Sequence, residues 1–151
     1  MSKKVLVVDD DENTVKFLSV ALRENGYEPF GAYDGEEGLQ KAEETNPDLI
    51  LLDVMMPKRT GFVLFKQLRR NEKFKDIPVM MLTGVADVLQ EDEGQAEGDT
   101  FERPYDSLRE SLKKAIKKMR EEGLERPDRF IDKPIDPDEL IVAVKELIGE
   151  P

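Results

Sequence analysis

Two apolar runs that end in carboxylates constrain this chain more than any other feature. Val5-Leu6-Val7-Val8 leads straight into Asp9-Asp10-Asp11, and Leu49-Ile50-Leu51-Leu52 leads straight into Asp53. An unbroken apolar run has no polar face, so each reads as a strand of a parallel sheet, buried on both sides. A third segment, Phe130-Ile131-Asp132, runs into Lys133-Pro134 in the same way. Where two such strands lie side by side, their terminal carboxylates crowd together. Like charges so close are unfavourable unless a cation binds or a proton is taken up. The pattern therefore asks for a hard divalent cation and leaves one carboxylate to do chemistry.

The segments between these strands have helical period. Glu12 to Asn25 carries Val15, Leu18 and Leu22 on one face and stops at Asn25-Gly26. Tyr27 to Tyr33 reads as a weaker strand, interrupted by Pro29 and Gly31. Asp34 caps a short helix with Leu39 and Ala42, which ends before Asn46-Pro47. Thr60-Gly61 precedes a helix carrying Phe62, Phe65 and Leu68, and the strand Ile77–Leu82 ends at Thr83. After the strand over 129–132, Asp136-Pro137-Asp138-Glu139 supplies an N-cap, a proline at the first helical position and a glutamate three residues on. Leu140, Ile141, Val144, Leu147 and Ile148 form the stripe of that last helix. Strand and helix alternate throughout, which predicts an α/β fold with a parallel sheet covered on both faces. Ligands of such a doubly wound sheet bind at the carboxyl ends of its strands. Asp9, Asp10, Asp53, Thr83 and Lys133 all fall there.

A chain of 151 residues suits one domain, so 1–151 is taken as a single unit. A net charge of −11 argues against direct binding to nucleic acid, which needs a basic footprint. No apolar run is long enough to span a membrane, and Met1-Ser2-Lys3-Lys4 opens a strand and not a signal peptide. With no cysteine there is no disulfide or thiolate site, and with no histidine the chain cannot supply its own phosphohistidine or histidine base. A cytoplasmic protein is the expectation.

Four motifs then carry a resemblance. Val-Val-Asp-Asp at 7–10, Leu-Leu-Asp-Val-Met-Met-Pro at 51–57, Leu-Thr-Gly at 82–84 and Asp-Lys-Pro at 132–134 occur in order and at strand ends. Together they resemble the receiver domain of two-component response regulators, over residues 3–83 and 127–149. The resemblance implies a CheY-like (flavodoxin-like) five-stranded parallel sheet of order 2-1-3-4-5. It implies that Asp53 is the phosphoacceptor, a carboxylate nucleophile forming an acyl phosphate. Asp10 would be a direct Mg²⁺ ligand, with Asp53 and the backbone carbonyl of Met55, and Asp9 the acidic neighbour that often binds through water. So sparse a set suits Mg²⁺, which keeps several waters. Lys133 would hold one phosphoryl oxygen and Thr83 another. Phe130 would be an aromatic switch residue whose side chain turns inward once Thr83 shifts. Lys133-Pro134 would be a cis peptide. Asp11 is read instead as part of the helix entry. The turn at Met56-Pro57 and Gly61 is read as shaping the loop after Asp53. Apolar Met55 and Val85, where the family uses polar residues to position water, imply a slowly hydrolysed aspartyl phosphate.

The spacing departs from the family between Thr83 and Lys133, which are 133 − 83 = 50 positions apart. One helix and two connections need about 20–25 residues. Residues 85–106 are rich in Asp and Glu and are expected to be an acidic loop insertion. Residues 107–122, with a Ser107/Glu110 capping box and a stripe of Leu108, Leu112, Ile116 and Met119, are expected to be the fourth helix, its other faces basic. An added helical hairpin over 85–122 is the alternative.

The expected function is a phosphorylation-activated switch with no enzymatic activity beyond its own phosphorylation and dephosphorylation. Its donor would be a histidine kinase or histidine phosphotransfer protein. Its output would be a downstream effector protein, bound through the surface of 107–122, the fifth strand and the last helix. The chain ends just after that helix, from which the expectation is protein binding or phosphorelay without an attached output domain. Family members often pair through the fourth helix and fifth strand, which leaves a homodimer open. Three other classes compete. A haloacid-dehalogenase-type phosphatase needs an acid two residues after its nucleophile, where Met55 stands. A flavodoxin would not place Asp9-Asp10-Asp11 where a phosphate must bind. A non-phosphorylated scaffold receiver would not need the acceptor, acidic pair, threonine and lysine together.

Overall fold

The computed structural model describes residues 2–54, 61–83, 114, 117, 121 and 127–151, with the backbone alone at Phe62, Thr83 and Asp132. The elements run β1 (Lys4–Val8), α1 (Glu12–Glu24), β2 (Glu28–Ala32), α2 (Gly35–Thr45), β3 (Leu49–Asp53), α3 (Gly61–Arg70), β4 (Val79–Thr83), β5 (Arg129–Asp132) and α4 (Pro137–Ile148). The last of these is the helix expected as the fifth. All four strand pairings are parallel, and the order is β2-β1-β3-β4-β5.

The two-residue period of a strand splits the core into two layers. Leu6, Val8, Ile50, Leu52, Val79, Met81 and Phe130 face one side, where they meet Ala42 of α2 and Leu64, Phe65 and Leu68 of α3. Val5, Val7, Leu49, Leu51, Met80, Leu82 and Ile131 face the other, against Val15, Leu18 and Leu22 of α1 and Leu140, Ile141 and Val144 of α4. Fully burying each such side chain contributes about 1.5–3 kcal/mol. Because both faces are covered, the strands need no polar alternation, and the apolar runs follow.

Local signals set the helix ends. The Asp11 carboxylate accepts from the Asn13 amide to cap α1, and Gly26 leaves the helix at φ 90°. Asp34 accepts from Glu37 N to cap α2, which ends at Asn46 in the left-handed region. Asp136 accepts from Asp138 N ahead of Pro137 to start α4. At its other end the Tyr27 hydroxyl donates to Gly149 O at 2.7 Å, and Lys3 Nζ donates to Ile148 O.

Strand β4 begins at Val79 and not at Ile77. Ile77 N donates to Phe74 O in the preceding turn, and Pro78 has no donor, although its carbonyl accepts from Ile50 N. Strand β2 is likewise shorter than its apolar stretch, with Tyr27 spent on the α1 exit. The expected loop over 85–106 lies outside the described residues. So does the segment 107–122 except Lys114, Lys117 and Glu121, whose backbone is helical and whose side chains are exposed.

Candidate functional site

The strand order reverses between β1 and β3, and the carboxyl ends of strands at such a switch point are where ligands of this sheet type bind. Val8 pairs with Leu52, so Asp9 and Asp53 follow at the same level on neighbouring strands. Asp9 is 0% exposed and Asp53 1%, whereas Asp10, one residue into the loop, is exposed. One carboxylate oxygen from each of Asp9, Asp10 and Asp53 lies within 4.8 Å of the others.

Lys133 reaches this cluster from the residue after β5. Its Nζ lies 2.9 Å from Asp9 Oδ2 and 3.3 Å from Asp53 Oδ1. Partial burial would lower the lysine's pKa, but the hydrogen bond to Asp9 and the charges of Asp53 and Asp9 outweigh it and hold the group above its ordinary 10.5. Among the described residues, three carboxylates here face the ammonium of Lys133. The donor set, oxygen only and sparse, therefore fits a hard divalent cation that keeps most of its water.

Each carboxylate is held differently. Asp9 Oδ1 accepts from Asp11 N at 3.0 Å while Oδ2 takes Lys133, so both oxygens are engaged by the protein. Asp11 turns away to its helix: Thr14 Oγ1 donates to Oδ2 at 2.9 Å and Asn13 N to Oδ1 at 3.0 Å. The Thr14 hydroxyl first, then the Asn13 amide, hold the Asp11 carboxyl below its ordinary 3.8. Asp11 is thus the helix entry expected of it.

Gly61 has a larger part than loop shaping. It opens α3, its N–H donates to Val54 O at 3.0 Å, and a Cβ there would lie 2.3 Å from the Asp53 carbonyl oxygen. Only glycine allows α3 to start this close to the Asp53 backbone. Nothing in the residues around Gly61 signals that approach, because it is made to the backbone of Asp53.

Of the other expected site residues, Thr83 ends β4 beside β5, paired with Asp132. Its side chain and the carbonyl of Met55 lie outside what the structure describes. The Phe130 ring is already inward, 5% exposed, in the layer with Met81, Val54 and Phe74. The Lys133–Pro134 peptide is cis.

The sequence profile of the response regulator receiver domain matches residues 5–98. The chain belongs to that family. The match spans Asp9, Asp10, Asp53 and Thr83, while β5 and Lys133 lie beyond it and join the site through the fold. The alkaline phosphatase synthesis transcriptional regulatory protein PhoP of Bacillus subtilis is 51% identical over 83 residues, covering 55% of this chain and 34% of that one. The phosphate regulon transcriptional regulatory protein PhoB of Escherichia coli is 31% identical over 149 residues, covering 98% of this chain and 52% of its own length. The chain thus spans between a third and about half of these relatives. Among solved structures, chemotaxis response regulator CheY4 of Vibrio cholerae superposes with a TM-score of 0.70 at 28% identity, covering 97% of this chain and 99% of that one. A response regulator of Chloroflexus aurantiacus gives 0.71 at 28% identity over 99% and 100%. The receiver is a two-component response regulator module. Among the described residues, no helix is long and apolar enough to cross a membrane.

Proposed function

We propose that the receiver takes a phosphoryl group on Asp53 and that this modification switches its binding to a partner. The observation that carries the reading is the buried Asp53 carboxylate, 1% exposed at the end of a central strand, with Asp9 and Asp10 within 4.8 Å and Lys133 Nζ at 3.3 Å. An Asp53 oxygen attacks phosphorus in line with the donor bond; the acyl phosphate bond forms as the donor's bond to phosphorus breaks, and the electron pair leaves with the donor. The donor is the phosphohistidine of a histidine kinase or phosphotransfer protein, since this chain has no histidine. Lys133 supplies positive charge at the transferred oxygens, and Thr83 a hydroxyl to another of them. Asp10 and Asp53, with the Met55 carbonyl and with Asp9 through water, would hold Mg²⁺. Bound there, that ion neutralises the carboxylates and the incoming phosphoryl oxygens.

The output follows from Thr83 and Phe130, on adjacent strands β4 and β5. A phosphoryl group that draws Thr83 changes the packing beside Phe130. The surface of 107–122, β5 and α4 then reports the state to an effector protein. We take 1–151 as one receiver domain, with 85–106 an insertion in its sequence.

The test is intact-protein mass spectrometry after incubation with acetyl phosphate, with and without Mg²⁺. The expected result is one added phosphoryl group that requires Mg²⁺ and is absent in Asp53→Asn. Phosphorylation of the variant to the wild-type extent would remove Asp53 from the mechanism.

A further inference from the structure

Arg69 is charged, 7% exposed and far from the carboxylate cluster, and the chemistry above makes no use of it. It sits in the last turn of α3, where a cation would ordinarily lie on the surface near the helix carbonyls. Its guanidinium instead points inward. Nη1 donates to Ile77 O at 2.8 Å and to Lys75 O at 3.3 Å, and Nη2 donates to Asp128 Oδ2 at 2.9 Å. The Phe65 ring lies 4.7 Å from the guanidinium carbon. Nε finds no acceptor among the described residues, a cost the other contacts offset.

Asp128 immediately precedes β5. Its Oδ2 also accepts from Val79 N at 2.8 Å, while its own N–H donates to Val79 O at 2.9 Å. A single residue thus closes a ring of hydrogen bonds on the first residue of β4, and Arg69 ties that ring to α3.

The placement matters because β5 is short, held otherwise among the described residues by its ladder with β4, by its apolar side chains and by the ion pair of Arg129 with Glu146 of α4. Among the described residues it is an edge strand of four residues, with Phe130 and Ile131 buried. A slip of one residue would turn Phe130 out of its layer, which burial opposes. A slip of two keeps the faces and shifts the strand by about 7 Å. Lys133 lies five residues beyond Asp128, and such a shift would carry its Nζ away from Asp9 and Asp53. The chain returns to Asp128 after leaving β4 at Thr83, so no short connection sets the pairing.

We propose that Arg69 and Asp128 are positioning residues for Lys133: they lock the register of β5 at the amino end of the sheet, and so place the ammonium at its carboxyl end. The importance for phosphorylation rests on the role proposed for Lys133; the register claim does not.

The test uses the full chain and the variants Asp128→Ala, Asp128→Asn and Arg69→Met. Asparagine keeps an oxygen for Val79 N and removes the charge opposite Arg69, so it retains a fold if alanine does not. Three measurements are made at a temperature where circular dichroism shows each variant folded. Amide hydrogen exchange over 129–132 is expected to quicken tenfold or more, with 5–8 and 49–53 unchanged. Acylation of Lys133, measured by mass spectrometry against exposed Lys16 in the same molecule, is expected to rise at least threefold. The rate of phosphorylation by acetyl phosphate is expected to fall about tenfold. Wild-type exchange in β5 would overturn the register lock. Faster exchange in β5 with unchanged Lys133 acylation would overturn the link to Lys133, as would equal increases at both lysines, which mark general loosening. Faster exchange and acylation with no phosphorylation of even the wild type would leave the lock standing and sink the phosphoacceptor reading instead.

Discussion

Replacing Gly61 with alanine places one methyl group where the backbone of the acceptor residue already stands. The added Cβ would lie 2.3 Å from Asp53 O and 3.1 Å from Val54 Cα. Moving the first contact to even 3.0 Å requires a shift of 3.0 − 2.3 = 0.7 Å. No flexible side chain can absorb it, because the opposing atom is backbone. Asp53 N–Cα–C is also fixed by the ladder between β3 and β4, where Asp53 pairs with Leu82 and Val54 N donates to Leu82 O. The expected destabilisation is about 2 kcal/mol, within the range for overpacking a tight contact. For a domain of this size that lowers Tm by roughly 4–8 °C. A displacement approaching 1 Å at a nucleophile can cost about a hundredfold in rate. Gly61→Ala should therefore slow phosphorylation by one to two orders of magnitude under conditions where it remains folded. Gly38→Ala is the control, since the nearest atoms to its Cβ would be side-chain atoms of Leu64 and Val8, at 3.1–3.3 Å, and not the backbone of the acceptor residue. Thermal melts and the initial rate of acetyl phosphate labelling decide the matter. A Gly61→Ala protein with wild-type Tm and a rate within twofold would show that α3 can back away from Asp53 freely, and the argument would fail.

Two further outcomes follow from the same geometry. Lys133→Met leaves Asp9 and Asp53 buried beside Asp10 with their ammonium gone, which should destabilise by about 3 kcal/mol, the low end for a broken buried pair because the Lys133 side chain keeps 31% of its exposure. Millimolar Mg²⁺ should restore much of that loss in a thermal melt, and a melt indifferent to Mg²⁺ would count against the metal site. Burial, and then the charge of Glu150, hold the Tyr27 hydroxyl above its ordinary 10.0. A raised pKa means the folded state keeps its proton longer, so this stabilisation is fully present below pH 10 and is lost as pH rises through the folded value. Urea titrations above pH 10 should show stability falling in the wild type, with a shallower fall in Tyr27→Phe, which also forgoes the bond to Gly149 O. Equal slopes in the two proteins would exclude Tyr27 as the source.

Much of the site could be read from the chain because it sits at the ends of apolar runs. Val5–Val8 and Leu49–Leu52 had to be buried strands, and a residue directly after such a strand has one place to go. Asp9 and Asp53 follow from that alone, and Asp11 from its position ahead of a helix. The start of β4 was less legible: Ile77 and Pro78 continue the apolar pattern, but the Ile77 amide donates to Phe74 O in the preceding turn. Lys133 was expected at this site from its place after β5; its nearest partner there, Asp9, with Asp53 second, comes from the fold. Gly61 was read only as shaping the loop after Asp53, and nothing in the neighbours of Arg69 and Asp128 marks those two residues at all.

By itself, the sequence determined the alternation of strands and helices, the edge of the sheet that carries carboxylates, and the chemistry those carboxylates favour. These are properties of local pattern, where period and charge act over a few residues. Only the tertiary structure decided which oxygen of Asp9 meets Lys133, why α3 must begin with glycine, and how Arg69 reaches Asp128 across 59 positions. Those contacts join groups far apart along the chain, and a contact exists only once the sheet between them has formed.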